Sequence, residues 1–276
     1  MANLETTFFY LTIGAYLVGS FLYFWHLVDK NKTAGNIATA VTILGLVSNT
    51  IALVLRTIEV GHAPFSNMYE FSTSFAWGVV AVYLFAEYKY KLKVLGAFVM
   101  PVAFLMIVST AMFGIDMNAR PLMPALQSNW LTAHVAVAII AYGAYAFSFG
   151  IAIMYLIKES LAKRKSASFL NLHLPDAKIL DELSYRFIAF AFPWMSLVII
   201  TGAIWAEYAW GRYWSWDPKE TWSLITWLVY AAYLHARFTY GWKGRRAAWM
   251  AIIGFITVLF TYFGVNMLLS GLHSYG

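Results

Sequence analysis

The feature that most constrains this chain is a series of eight apolar stretches: Phe8–Val28, Ile37–Leu55, Phe71–Phe85, Val94–Phe113, Leu131–Ile157, Phe187–Ala206, Trp222–Arg237 and Ala248–Leu269. A helix of roughly 20 apolar residues spans a bilayer. In hydrocarbon there is no water for backbone N–H and C=O groups, so each stretch must satisfy its own by becoming helical. Composition excludes a water-soluble core, because 61% of the 276 residues are hydrophobic and 12% are charged, with a mean hydropathy of +0.65. The sequence therefore predicts an all-α polytopic membrane protein of about eight transmembrane helices, forming a single integral membrane domain over residues 1–276. Glu5 precedes the first stretch, with no basic cluster ahead of it and no small-residue cleavage site after it, so the stretch is expected to be retained as a span.

Charge orients the spans. With both termini on the outer side, the inner loops hold Lys30 and Lys32, then Lys89, Lys91 and Lys93, then Lys158, Lys163, Arg164, Lys165, Lys178 and Arg186, then Arg237, Lys243, Arg245 and Arg246. Only Arg56, Arg120, Arg212 and Lys219 remain outside, a 15 to 4 asymmetry among the 19 basic residues that fits the positive-inside rule. Residues at about 158–186 then form a cytoplasmic loop with a short interfacial helix, and residues at about 205–222 an outer loop. The net charge of +6 is spread over short loops rather than gathered into a patch, so no nucleic-acid partner is expected. With no cysteine, any thiol chemistry belongs to a partner. No internal repeat appears, so a transporter of inverted halves gains no support.

The outer loop holds Trp205, Trp210, Trp214, Trp216 and Trp222, five of the 12 tryptophans, beside Tyr208 and Tyr213. An interfacial aromatic belt accounts for one or two aromatics at each helix end. Five in one connection look more like a platform for a large, flat, apolar ligand. Asp217-Pro218-Lys219-Glu220 has the form of a capping box with proline at the first helical position. Capping is the primary role expected of the two carboxylates, and a rigid helix start beneath the tryptophans is suited to orient a bound group. Arg212 and Lys219 are candidate partners for acidic groups on that ligand.

Histidines sort by depth. His134 and His273 fall at the level of the tryptophan loop, and two opposed imidazoles complete a six-coordinate haem iron. His235 lies 13 residues beyond Trp222, about 20 Å deeper at 1.5 Å per residue. It is a candidate ligand for a second, transmembrane haem, with His26 at similar depth as a possible mate, although His26 beside Trp25 reads first as interfacial. His62 sits in a turn marked by Gly61 and Pro64. Arg56 near a span end requires a carboxylate, with Glu59, Glu70 or a haem propionate as candidates.

At this point the residues resemble a known family. Trp210-Gly-Arg-Tyr-Trp214-Ser-Trp216-Asp217-Pro-Lys-Glu220-Thr-Trp222, running through Tyr233-Leu-His235, is similar to the WWD signature of haem-handling proteins, in the version of the CcsA/ResC family of system II cytochrome c biogenesis. Phe263-Gly-Val-Asn-Met-Leu-Leu-Ser-Gly-Leu-His273-Ser-Tyr275 and Gly61 through Glu70 also look like that family. The resemblance implies that His134 and His273 ligate an outer haem b beside the WWD loop. It implies that His235 serves a haem in transit, whose other ligand comes from a CcsB/ResB partner rather than from His26. It further implies a cytochrome c haem lyase component acting on apocytochrome c Cys-X-X-Cys-His segments, with thioredoxin-like reductants involved indirectly. The membrane would be a bacterial cytoplasmic membrane, or a thylakoid membrane in a plastid. CcmC-like relatives share the signature but have fewer spans and lack the transmembrane histidine. The rival reading is a b-type electron-transfer subunit, which commonly carries two ligands of different haems on one helix; no span here holds two histidines.

Overall fold

A computed structural model describes residues 2–115, 117–118, 122–164, 173–269 and 271. Arg120, Lys165 and His273 lie outside the described residues. Among the described residues eight long helices follow one another: α1 (Ala2–Asp29), α2 (Lys32–Val60), α3 (Met68–Tyr90), α4 (Gly96–Met112), α5 (Asn129–Lys163), α6 (Ala177–Trp210), α7 (Pro218–Thr239) and α8 (Arg245–Leu259). A π-helical turn, Phe260–Gly264, carries α8 on into the short helix α9 (Val265–Leu268). Among the described residues there is no β-strand.

Local chemistry sets the helix starts. Asn31, Asn67 and Ser128 each accept a hydrogen bond from a backbone N–H of the first turn they cap. Asp217 and Glu220 form the reciprocal capping box expected from their spacing. The apolar stretches fall on the helices, with Val94–Phe113 starting in the 3-10 turn Lys93–Leu95 and Ala248–Leu269 continuing from α8 through the π turn into α9, and several helices run longer than their stretch. α6 begins ten residues before Phe187, because Ala177–Arg186 is polar yet still helical and Asp181 pairs there with Arg237.

Among the described residues six helical stretches are long and apolar enough to cross a membrane: α1, α2, Lys93–Met112, α5, α6 and α8 continued to Leu268. α3 and α7 fall outside that set for a physical reason. α3 is packed against α2, α4 and α5, so it carries buried Glu70, Ser72, Thr73, Ser74 and Glu87 with protein partners in place of lipid. α7 brings Lys219 and Glu220 to one end and Arg237 to the other.

The most extensive contacts are α5 with α6 and α1 with α2, and one buried apolar cluster draws on all eight long helices. α3 and α5 cross in near-backbone contact. A Cβ on Gly143 would lie 2.9 Å from the carbonyl of Gly78, so neither position has room for a side chain. Two polar clusters close the bundle. At one end Arg56 binds Glu70, and at the other Glu87 accepts from Tyr23, Tyr83 and Thr39 at 2.6–2.7 Å.

Between these clusters Tyr145 and Tyr230 stack with ring centroids 3.6 Å apart and planes within 5°. Among the described residues their buried hydroxyls have no hydrogen-bond partner. A buried donor without a partner costs about 1–3 kcal/mol, so Tyr230→Phe is expected to leave thermal stability in detergent unchanged or raised. Tyr83→Phe, which removes a donor from the buried Glu87 carboxylate, is expected to lower it. A Tyr230→Phe protein that melts as early as Tyr83→Phe would contradict this account.

Candidate functional site

A cleft opens where α5 begins and α6 ends, enclosing about 1140 Å³ of space including its mouth. Its floor is apolar and aromatic, with Phe71, Tyr142 and Tyr262, while polar groups sit on separate walls: His134 on α5, Lys219 and Glu220 on α7, and Asn266 on α9. The π turn, which adds a residue to the helical repeat, contributes Thr261 and Tyr262 to the lining.

His134 is held from two sides. Its Nδ1 lies 2.9 Å from the carbonyl oxygen of Val198, which can only accept. Nδ1 therefore carries the hydrogen, and Nε2 is the basic nitrogen, the arrangement a metal-ligating imidazole requires. The ring rests against α6 because Gly202 has no side chain; a Cβ there would lie 2.9 Å from His134 Cε1. Trp205, 2% exposed, stacks beside the ring at 6.0 Å between centroids and 25° between planes. Trp210 packs edge-on against Trp205 at 5.0 Å.

The loop between α6 and α7 is clamped by one carboxylate. Gly211, at φ +71°, ends α6. Ser215 N and Asp217 N, the amides on either side of Trp216, both donate to Glu220 Oε2, at 2.7 and 3.2 Å. The clamp holds Trp216 at φ +61°, in the left-handed region that a non-glycine residue seldom adopts. Trp216 is 68% exposed and stands edge-on to Trp214, which turns into the cleft.

The structure thus brings His134, Trp205, Tyr213, Trp214 and Lys219 to one cavity. It places the other sequence candidates elsewhere. Trp210 backs Trp205, Trp222 packs on Phe260 at 4.1 Å, and Arg212 is exposed. Asp217 caps α7, and a Cβ on Gly271 would lie 2.5 Å from its Oδ2. Arg56, 3% exposed, does not line the cleft. Its guanidinium reaches Glu70 at 2.8 Å, the carbonyls of Met117 and Asn118, and Glu5 at 3.7 Å. His235 is exposed on the outside of the bundle, edge-on to Tyr240 at 5.7 Å, whereas His26 is turned to the carbonyl of Asn31 at 2.8 Å. Gly202, Tyr142 and Asn266 were not singled out from sequence. Asn266 lies inside the Phe263–Tyr275 motif; the other two carry no sequence signal, since their role depends on which helix faces them.

The fold and this cleft define an integral membrane helix bundle with a cleft at one end lined by an oriented imidazole and tryptophans. The sequence profile of the family described as "Cytochrome C assembly protein" matches residues 65–273, and the chain belongs to that family. It is 42% identical to the cytochrome c biogenesis protein CcsA of Guillardia theta, covering 99% of this chain and 96% of that one. The CcsA of Gloeobacter violaceus is 40% identical over 87% of this chain and 86% of its own length. The CcsA of Chlamydomonas reinhardtii is 44% identical over 82% of this chain and 64% of its own length. Among solved structures, "Cytochrome c Heme Lyase CcmF" superposes with a TM-score of 0.65 at 17% identity, covering 95% of this chain. This chain spans 46% of that structure, so the likeness concerns the fold alone.

Proposed function

We propose that this protein binds haem in the cleft and presents it, on the outer face of the membrane, for covalent attachment to apocytochrome c. The observation that carries the reading is the orientation of His134: a ring whose Nδ1 is committed to Val198 O, on the wall of an apolar, tryptophan-lined cavity. One imidazole in such a cavity, with no group of three metal-ligating side chains among the described residues, suits a metal that brings its own ring of ligands. His273 is the proposed second ligand. It lies outside the described residues, but Gly271, two residues earlier, sits against Asp217 beside the cleft.

The orientation is inferred from charge. In the sequence, the connections from α1 to α2, α3 to α4, α5 to α6 and α7 to α8, with the helix ends beside them, hold 15 of the 19 basic residues, which supports placing the cleft on the outer side. The membrane is proposed to be a bacterial cytoplasmic membrane, or a thylakoid membrane in a plastid. His235, exposed toward lipid or a neighbouring subunit, fits a transit haem whose other ligand comes from a ResB-type partner. In the attachment step each cysteine thiol adds across a haem vinyl group, sulfur to one carbon and hydrogen to the other, with no leaving group. This chain contributes ligation and positioning.

The test is the visible spectrum of the purified protein beside His134→Ala and His273→Ala. The expected result is a low-spin bis-imidazole spectrum that each variant loses or converts to high spin and that added imidazole restores. A colourless wild type, or a spectrum indifferent to both changes, overturns the reading. The electron-transfer alternative would give a haem that is retained and never passed to an apocytochrome peptide.

A further inference from the structure

We propose that Lys219 is the anion-recognition group of this cleft: its ammonium binds a carboxylate at the edge of a large apolar ligand, which under the haem reading is a propionate. The inference rests on that reading and adds to it a specificity for the acidic edge of the ligand.

Lys219 is poorly explained by the fold alone. It stands in the first turn of α7, where the helix dipole disfavours a cation. Its side chain lines the cleft instead of reaching into water. Among the described lining residues it is the one lysine or arginine, and burial lowers its pKa to about 8, so an anion beside it would favour the charged form. The neighbouring carboxylates are committed elsewhere: Glu220 Oε2 accepts from Ser215 N and Asp217 N, and Asp217 Oδ1 accepts the backbone N–H of Lys219 itself. Among the described residues Lys219 makes no ion pair.

What the fold does provide is aim. Nζ donates to Asn266 Oδ1 at 3.0 Å, and Asn266 is itself fixed through Nδ2 to the carbonyl of Tyr262 in the π turn. An ammonium has three donors, so this tether positions the group while leaving hydrogens for an anion. A cation held over an apolar cleft by a neutral amide is a receptor for a ligand that is apolar over most of its surface and acidic at one edge. His134 occupies a different wall of the same cavity, so ligation and carboxylate recognition act on separate parts of one molecule.

The experiment compares haem with haem dimethyl ester, in which both carboxylates are masked, on detergent-purified wild type and Lys219→Gln, read by Soret titration. Wild type is expected to bind haem about 10- to 100-fold more tightly than the diester, the range for a hydrogen bond to a charged group. Lys219→Gln is expected to bind the two alike, at the wild-type diester level and with the same low-spin spectrum. A structural role for Lys219 would weaken both ligands together and overturns the proposal. So does a wild type indifferent to esterification. A wild type that binds neither ligand overturns the haem reading itself, a distinct result.

Discussion

Replacing Arg56 by Ala is expected to cost about 3–5 kcal/mol of stability, the range for removing one member of a buried ion pair. The guanidinium is 3% exposed, so solvent screens the interaction little. It ties four segments together: α1 through Glu5, α2 on which it stands, α3 through Glu70, and the chain after α4 through the carbonyls of Met117 and Asn118. Without it the Glu70 carboxylate keeps, among the described residues, the amide and hydroxyl of Ser66, and Glu5 keeps Tyr69. Arg56→Met combined with Glu5→Gln and Glu70→Gln is expected to recover much of the loss, because no carboxylate is then left buried without its cation. Since Arg56 stands away from the cleft, haem bound per folded molecule should be unchanged. Unfolding in detergent, followed by tryptophan fluorescence beside a haem titration of the surviving fraction, separates the two effects. A stable Arg56→Ala protein with weakened haem binding would return Arg56 to the site.

Arg56 also shows where sequence reasoning stops. A cation at a span end required a carboxylate, and Glu59, Glu70 and a propionate were equal candidates until the helices were packed. The structure selects Glu70 with Glu5, which is distant in sequence and comes near only because α1 runs beside α2. The same limit explains the helix ends. Apolar windows locate the interior of each span, but the polar turns of Ala177–Arg186 and Lys158–Lys163 are held by i,i+4 pairs and by Asp181–Arg237, which hydropathy does not register. The capping box was legible because it is local, spanning Asp217 to Glu220. The tryptophans were legible as a group but not individually. Their spacing does not show that Trp205 supports the imidazole, that Trp214 faces the cavity or that Trp216 points outward. The cleft-lining residues all fall within 65–273, the span of the family match. α1 and α2, before that span, contribute packing rather than lining.

The largest functional effect is expected from a residue with no side chain. Gly202→Val would place a Cβ within 3.0 Å of His134 Nδ1 and Cε1, closer than van der Waals contact permits, and would add two methyl groups beyond it. The ring must leave its seat, and with it the bond to Val198 O that sets the tautomer. Loss of such an outer partner typically weakens a metal site about 10- to 100-fold, so Gly202→Val is expected to lose haem at least to that extent. The bundle should remain folded, because the change opens toward a cavity rather than into the packed crossing of α3 and α5. Exogenous imidazole distinguishes this variant from His134→Ala. In the alanine protein the space of the missing ring is vacant, and imidazole should restore the low-spin spectrum. In Gly202→Val that space is filled by the valine and the displaced ring, and imidazole should not. Rescue of both variants to the same extent would mean that α6 does not seat the ligand, and that the position of His134 is governed from α5 alone.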